Sequence, residues 1–310
     1  MADFNTLTDK LAKAYGEIAR LEHSALEKGP DQFVLLQLSS LKRMATQLEN
    51  EWKEISRFRH HEVCLYRVID PSRHNFSVSP VFRSLATFQS LFSQVFDALS
   101  TQPKERARIS VDIEQQTDLK LAYTFPGSLG FALYSESHAG LFEEQFHTTA
   151  KAVADVMATE DEHHVRDLAV SLGQAVVKRI YDWSKANADA HYGVDLKWRG
   201  ITSDTIEIYS SSDHFENLVK IIEKTVDQDE TDLDVEGVLL GIDIHTRRFR
   251  MHAQPSGEDF SGKIHAEFDL TKDWTVNQKY RAKIKSVHEI YYATLETKVS
   301  YELLSLSQWA

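Results

Sequence analysis

FNTLTDKLAKAYGEIARLEHSALEKGPDQFVLLQLSSLKRMATQLENEWKEISRF, residues 4–58, decides how this chain is organised. Phe4, Leu7, Leu11, Ala14, Ile18, Leu21 and Ala25 recur at alternating steps of three and four. Gly29-Pro30 interrupts the pattern, and Val34, Leu38, Leu41, Ala45, Leu48, Trp52 and Ile55 resume it. Such spacing keeps one apolar stripe of each helix facing a partner, so the stretch predicts an antiparallel coiled-coil hairpin over residues 1–62. At about 1.5 Å per residue each helix is roughly 35 Å long. Just past the turn, Phe33, Leu35 and Leu36 add apolar surface that the seam does not use. That surplus needs another surface, either the chain's own body or a partner. Phe33, Leu36, Leu41, Leu48 and Trp52 are the residues expected to carry an oligomer or partner interface.

Working outward, 310 residues suit two or three domains rather than one core. Apolar residues at 42% and charged residues at 26% are those of a globular chain. No run of eighteen apolar residues offers a membrane span. The start, MADFNTLTDKLAKAYG, has neither the apolar core of a signal peptide nor the acid-free composition of a transit peptide. With Cys64 as the single cysteine no internal disulfide can form, and a cytoplasmic setting is expected. A formal charge of −12 disfavours indiscriminate binding to nucleic acid while permitting a local basic face.

Residues 63–228 read as a central α+β domain. Residues 63–69 form an apolar, β-branched run ending at Asp70-Pro71, a strand. Ser79-Pro80 is expected to cap a helix whose broad face carries Phe82, Leu85, Phe88, Leu91, Phe92, Val95, Phe96 and Leu99. Alternation at Ile109, Val111 and Ile113, and again from Leu119 to Phe125, predicts two strands. Pro126-Gly127-Ser128 turns the chain into a third over residues 129–134. Helices are expected over residues 140–158 and 162–187. A separate β-β-α unit follows, with strands around residues 194–198 and 206–209 and a helix capped by Ser212.

Residues 227–234, DQDETDLD, read as an acidic, solvated linker. Beyond it, strands at residues 237–244, 248–253, 263–268, 280–287 and 291–304 predict a small barrel of SH3-like or OB-like kind over 235–310. The fold class is therefore α+β and multidomain.

Few residues suggest chemistry. Glu144-x-x-His147 and Glu160-x-x-His163 match the element that bundle di-iron sites use twice. If their helices fold back near Thr159, the histidines lie almost 20 Å apart, too far to share metals. His60, His61 and Cys64 supply too few ligands for tetrahedral zinc. No metal site is assigned and no cofactor is expected, because the nucleophile-elbow, phosphate-loop and dinucleotide signatures are all missing from the sequence. The order helix, three strands, helix is also the core order of PD-(D/E)xK nucleases, and Asp112, Asp118 and Lys120 are the residues that could serve as the metal-and-base set such chemistry requires. The second acid and lysine of that pattern belong on the third strand, where this chain has Gly130-Phe131-Ala132-Leu133-Tyr134.

One positive signal remains. Lys279, Arg281, Lys283 and Lys285 alternate with Tyr280, Ala282 and Ile284, which puts four cations on one strand face. Arg247, Arg248 and Arg250 extend it from a neighbouring strand, with Tyr291 and Tyr292 as stacking partners for a nucleic acid. The bland alternative is a solvated outer strand. The sequence thus points to a non-enzymatic adaptor that self-associates and presents its barrel to a protein partner. Nucleic-acid binding through the basic face, and a metal-dependent nuclease, are the alternatives.

Overall fold

A computed structural model of the chain describes residues 3–29, 31–70, 76–126, 128–136, 143–200, 205–269 and 271–308. The turn residues Pro30, Pro71 and Gly127, and the expected helical residues 140–142, lie outside the described ones. The fold is α+β, with eight helices and two sheets among the described residues, in two compact units, Met1–Lys224 and Thr225–Ala310.

The first unit opens with α1 (Phe4–Lys28) and α2 (Gln32–Phe58), joined through Gly29 at φ +83°. Asp31 accepts a hydrogen bond from the backbone N–H of Phe33 and starts α2. Towards the turn, Ala14 and Ile18 pack against Leu38 and Ala45. At the other end Phe4, Leu7, Leu11 and Trp52 pack on Val63, Tyr123 and Ala132, which belong to β1 (His61–Ile69), β2 (Lys120–Phe125) and β3 (Leu129–Glu136). The root of the hairpin is therefore core, and the hairpin shares one unit with the sheet.

Trp52 is fully buried, its ring 5.4 Å from Phe4 and its indole N–H donated to Thr8 Oγ1 at 2.9 Å. That corrects the expectation that Trp52 meets a partner. Leu41 and Leu48 are likewise turned inward, against the inter-helix core and the sheet-facing core.

The sheet is a single antiparallel one of order β2-β3-β1-β4-β5, with β4 Gly193–Arg199 and β5 Thr205–Ser210. The expected β-β-α unit is its continuation, because β4 pairs directly with β1. While Val63 faces the hairpin, Cys64, Tyr66 and Val68 face the other way. There α3 (Val78–Ser100) meets α5 (Glu143–Met157) and α7 (Gln174–Ala188). Phe92 stacks on Trp198 at 4.7 Å, Phe96 meets Phe146 at 5.2 Å, and Phe88 meets Trp183 at 5.5 Å. The Tyr66 hydroxyl sits in this core with partners, Ser84 Oγ at 2.6 Å and the Trp183 indole N–H at 3.0 Å. Cys64 is buried on the same face, and burial pushes its thiol pKa up.

Three local readings change. Residues 111–117 form a helix, α4 (Val111–Thr117), not a strand: Ser110 Oγ accepts from the Ile113 N–H, and Asp112 and Glu114 complement the dipole. The single helix expected over 162–187 is two, α6 (Glu162–Ser171) and α7, because Gly173 at φ +93° breaks it. Any side chain there would strike the Lys104 backbone, 2.3 Å from the Cβ position. Caps shift as well: Ser77 precedes α3, and Ser211 accepts from the His214 N–H at the start of α8 (Ser212–Lys224).

In the second unit, β6 (Val226–Asp243), β7 (Arg248–Ala253), β8 (Asp259–Ile264), β9 (Lys279–Tyr291) and β10 (Glu296–Gln308) close into a ring of order β10-β8-β7-β6-β9. Leu239, Phe249, Met251, Tyr280, Ala282, Ile284 and Leu303 fill it. The acidic stretch 227–234 is not a linker. It is the first half of β6, paired residue by residue with β9.

Two outcomes test the hairpin root. Trp52→Ala is expected to cost about 3–5 kcal/mol in urea unfolding, while Phe33→Ala leaves stability nearly unchanged. His61 lies at the same junction, 4.8 Å from Phe4 and 5.5 Å from Tyr134. Burial holds its imidazole below the ordinary value; Arg59 and Lys120 act in the same direction and Glu136 opposes. As pH falls through about 6.5, the unfolded chain takes a proton that folded His61 resists, so stability falls. Unfolding at neutral and mildly acid pH should show a smaller loss in His61→Gln than in wild type.

Candidate functional site

The cations predicted on β9 do share one outward face, but that face is already answered. Register sets Arg281 opposite Glu236, Lys283 opposite Asp234 and Lys285 opposite Asp232. Arg281 pairs with Glu236 at 2.5 Å, Lys283 with Asp232 at 3.2 Å and Lys285 with Glu230 at 2.9 Å. The hydrogen bond to Glu230 raises the Lys285 pKa, and Lys279 is engaged as well. Exposed pairs are worth only about 0.2–1 kcal/mol each. Their effect on the field is larger, because a row of carboxylates beside a row of cations leaves no basic stripe for a backbone of phosphates. Stacking is also curtailed. Tyr292 is buried, and the Tyr291 hydroxyl donates to Glu289 at 3.0 Å.

Arg248 and Arg250 have a different fate. They project from β7 beside Ser261 and Lys263 of β8, around a shallow depression of about 550 Å³. No carboxylate among the described residues pairs with Arg248, Arg250 or Lys263. Sequence reasoning missed Lys263, since only the β7–β8 register brings it opposite Arg248.

On the hairpin, the surplus apolar surface is real and longer than its tip. Phe33, Leu36, Met44 and Phe58 are 64%, 63%, 45% and 74% exposed. Their spacing places all four on one flank of α2, roughly 80–160° round the helix from the inward Trp52. Leu26, near the end of α1, is exposed too.

The nuclease residues occupy other positions than that chemistry asks for. Asp112 stands in the first turn of α4, Asp118 caps its C-terminus, and Lys120 on β2 pairs with Glu136 at 2.5 Å. Among the described residues no three His, Cys, Asp or Glu side chains are gathered to hold a metal ion. His147, from the first Glu-x-x-His match, instead lies beside Glu62, a buried carboxylate the sequence did not single out. The Trp198 indole N–H donates to Glu62 Oε2 at 2.6 Å. Gly200 makes room for both: a Cβ there would lie 3.1 Å from Glu62 Oε1 and 3.1 Å from His147 Nδ1. His163 on α6 faces Asp167 at 3.0 Å. No described helix is long and apolar enough to cross a membrane.

Comparison with protein-family models, curated proteins and solved structures returns no match to this chain.

The β6–β9 ladder carries its own test. Lys283→Glu combined with Lys285→Glu sets glutamates beside Glu230, Asp232 and Asp234. Unfolding at low salt should fall by about 1–2 kcal/mol, from two lost pairs and new like-charge contacts. Raising salt to about 0.5 M should recover much of the loss by screening.

Proposed function

We propose that the protein is a non-enzymatic adaptor, self-associating through the outer flank of its hairpin and presenting its five-stranded ring to a protein partner. In this reading the ring is a small barrel of SH3-like or OB-like kind, and the hairpin packs in the manner of a coiled coil. The observation that carries it is the exposed stripe Phe33, Leu36, Met44 and Phe58, spread along about 37 Å of helix. Covering such side chains is worth about 1.5–3 kcal/mol each, so a stripe of four favours a partner of matching length.

A second copy fits that length. When two α2 helices cross antiparallel about Gln47, Leu36 of one meets Phe58 of the other, and Arg43 meets Glu51. The two apolar ends and the two opposite charges are thus self-complementary, as a twofold interface requires. Arg43 and Glu51 are both exposed. Neither charge forms an ion pair among the described residues.

Light scattering on the purified chain at tens of micromolar should give the mass of a dimer. Leu36→Glu should return a monomer of unchanged melting temperature, because Leu36 holds nothing inside the fold. Adding Phe58→Lys to Leu36→Glu should restore the dimer by pairing the new charges. A wild-type chain that stays monomeric throughout that range refutes self-association.

A further inference from the structure

On the outer face of β7 and β8 the fold sets like charges together and supplies nothing to balance them. Arg248 stands directly opposite Lys263, and Arg250 follows two residues on, opposite Ser261. Like charges facing one another across two strands repel. Elsewhere on this ring the same problem is solved internally, each of Arg281, Lys283 and Lys285 having a carboxylate from β6. Beside Arg248 and Arg250 that solution is withheld. Their opposite numbers on β6 are Asp243 and Gly241. The Asp243 carboxylate is turned into its own loop, accepting from the Thr246 hydroxyl at 2.6 Å and from the His245 and Thr246 N–H groups at 2.9 and 3.1 Å. Those bonds, the Thr246 hydroxyl first, hold its pKa below the usual carboxylate value. Gly241 contributes no side chain, and the space where one would stand is open. On the far side Glu302 of β10 is in register with Lys263 without forming an ion pair to it.

We propose that this face is a binding site for a compact phosphate-bearing anion, of the size and charge of a diphosphate group. Charge count selects the class. Two guanidinium forks, an ammonium and the Ser261 hydroxyl offer more donors than one carboxylate can accept, and suit a group with several oxygens and two or more charges. The depression of about 550 Å³ is on the scale of a small ligand. Its surroundings select against a long polyanion: residues 225–310 carry fifteen Asp and Glu against ten Lys and Arg. The one aromatic ring in the lining, Phe249, is buried in the ring's interior and cannot stack on a base.

Calorimetric titration of the full chain with inorganic pyrophosphate, at about 50 mM salt, tests this directly. Wild type should bind, and Arg250→Gln or Lys263→Gln should weaken binding at least tenfold. Arg281→Gln, which removes a cation already paired, should leave it unchanged. All three side chains are exposed, so the variants keep the fold. Absence of binding overturns the proposal. So does an equal loss in Arg281→Gln, which would mean diffuse surface charge. ADP in place of pyrophosphate separates the sources: tighter binding identifies a nucleotide, equal binding a diphosphate group alone. A twenty-nucleotide single strand is the competing probe. Three phosphate contacts give a logarithmic salt slope of about −2. A slope well beyond that, with affinity lost in Arg281→Gln too, replaces the compact ligand by a nucleic acid.

Discussion

Burial of Trp52 at the junction of two helices and a sheet is the contact on which the first unit turns. An indole is too large and too polar at one edge to be buried without a shaped hole and an acceptor. Here α1 supplies both, with Phe4 against the ring and the Thr8 hydroxyl under the N–H. The same residues reach β1, β2 and β3 through Val63, Ala132 and Tyr123. The heptad pattern therefore serves two surfaces in succession, first the partner helix and then the sheet. A hairpin held this way is fixed at its root, while its outer flank stays free for other contacts.

Much of this architecture was legible in the sequence because long periodic segments leave little choice. Both helices of the hairpin, the strand at residues 63–69 and most of the apolar face of α3 follow from spacing alone, although Phe82 and Leu99, expected on that face, stand exposed near the two ends of the helix. Short segments were less secure for a physical reason. Ile109, Val111 and Ile113 alternate as a strand should, yet Ser110 can cap a helix, and the local hydrogen bond to Ile113 decided the matter. Gly173 was invisible as a helix break, since what requires it is the Lys104 backbone, distant in sequence. The candidate cations were all readable as cations. Their states were not.

Register is what separates one charged residue from another. The stretch 227–234 has the composition of a spacer, and acidic residues in a row ordinarily repel and extend. Laid against Lys283 and Lys285 it becomes a strand, in which Asp232 and Glu230 find cations across the ladder and the repulsion along the row is partly offset. The same pairing that turns a linker into β6 removes the basic face that the alternation at 279–285 had suggested. Those two misreadings were therefore one. A sequence shows the charges on each strand, whereas neutralisation depends on a partner some fifty residues away.

A ring able to pair its charges and failing to do so at one place poses a narrower question than a basic protein would. Desolvating an unpaired arginine is costly, so free guanidinium groups must stay at the surface, as Arg248 and Arg250 do. Leaving them unpaired on a strand facing Lys263 adds repulsion with no return inside the fold. Substituting any of the three by a neutral residue would relieve that repulsion without opening a cavity. Hydrophobic exposure on α2 has the same logic, since Phe33 and Phe58 contribute nothing to the core they flank. Each unit has its own set of neighbouring residues that the core does not use, apolar along α2 of the hairpin and cationic across β7 and β8 of the ring. Grouping by chemistry is what a contact surface requires, and packing alone gives no reason for it.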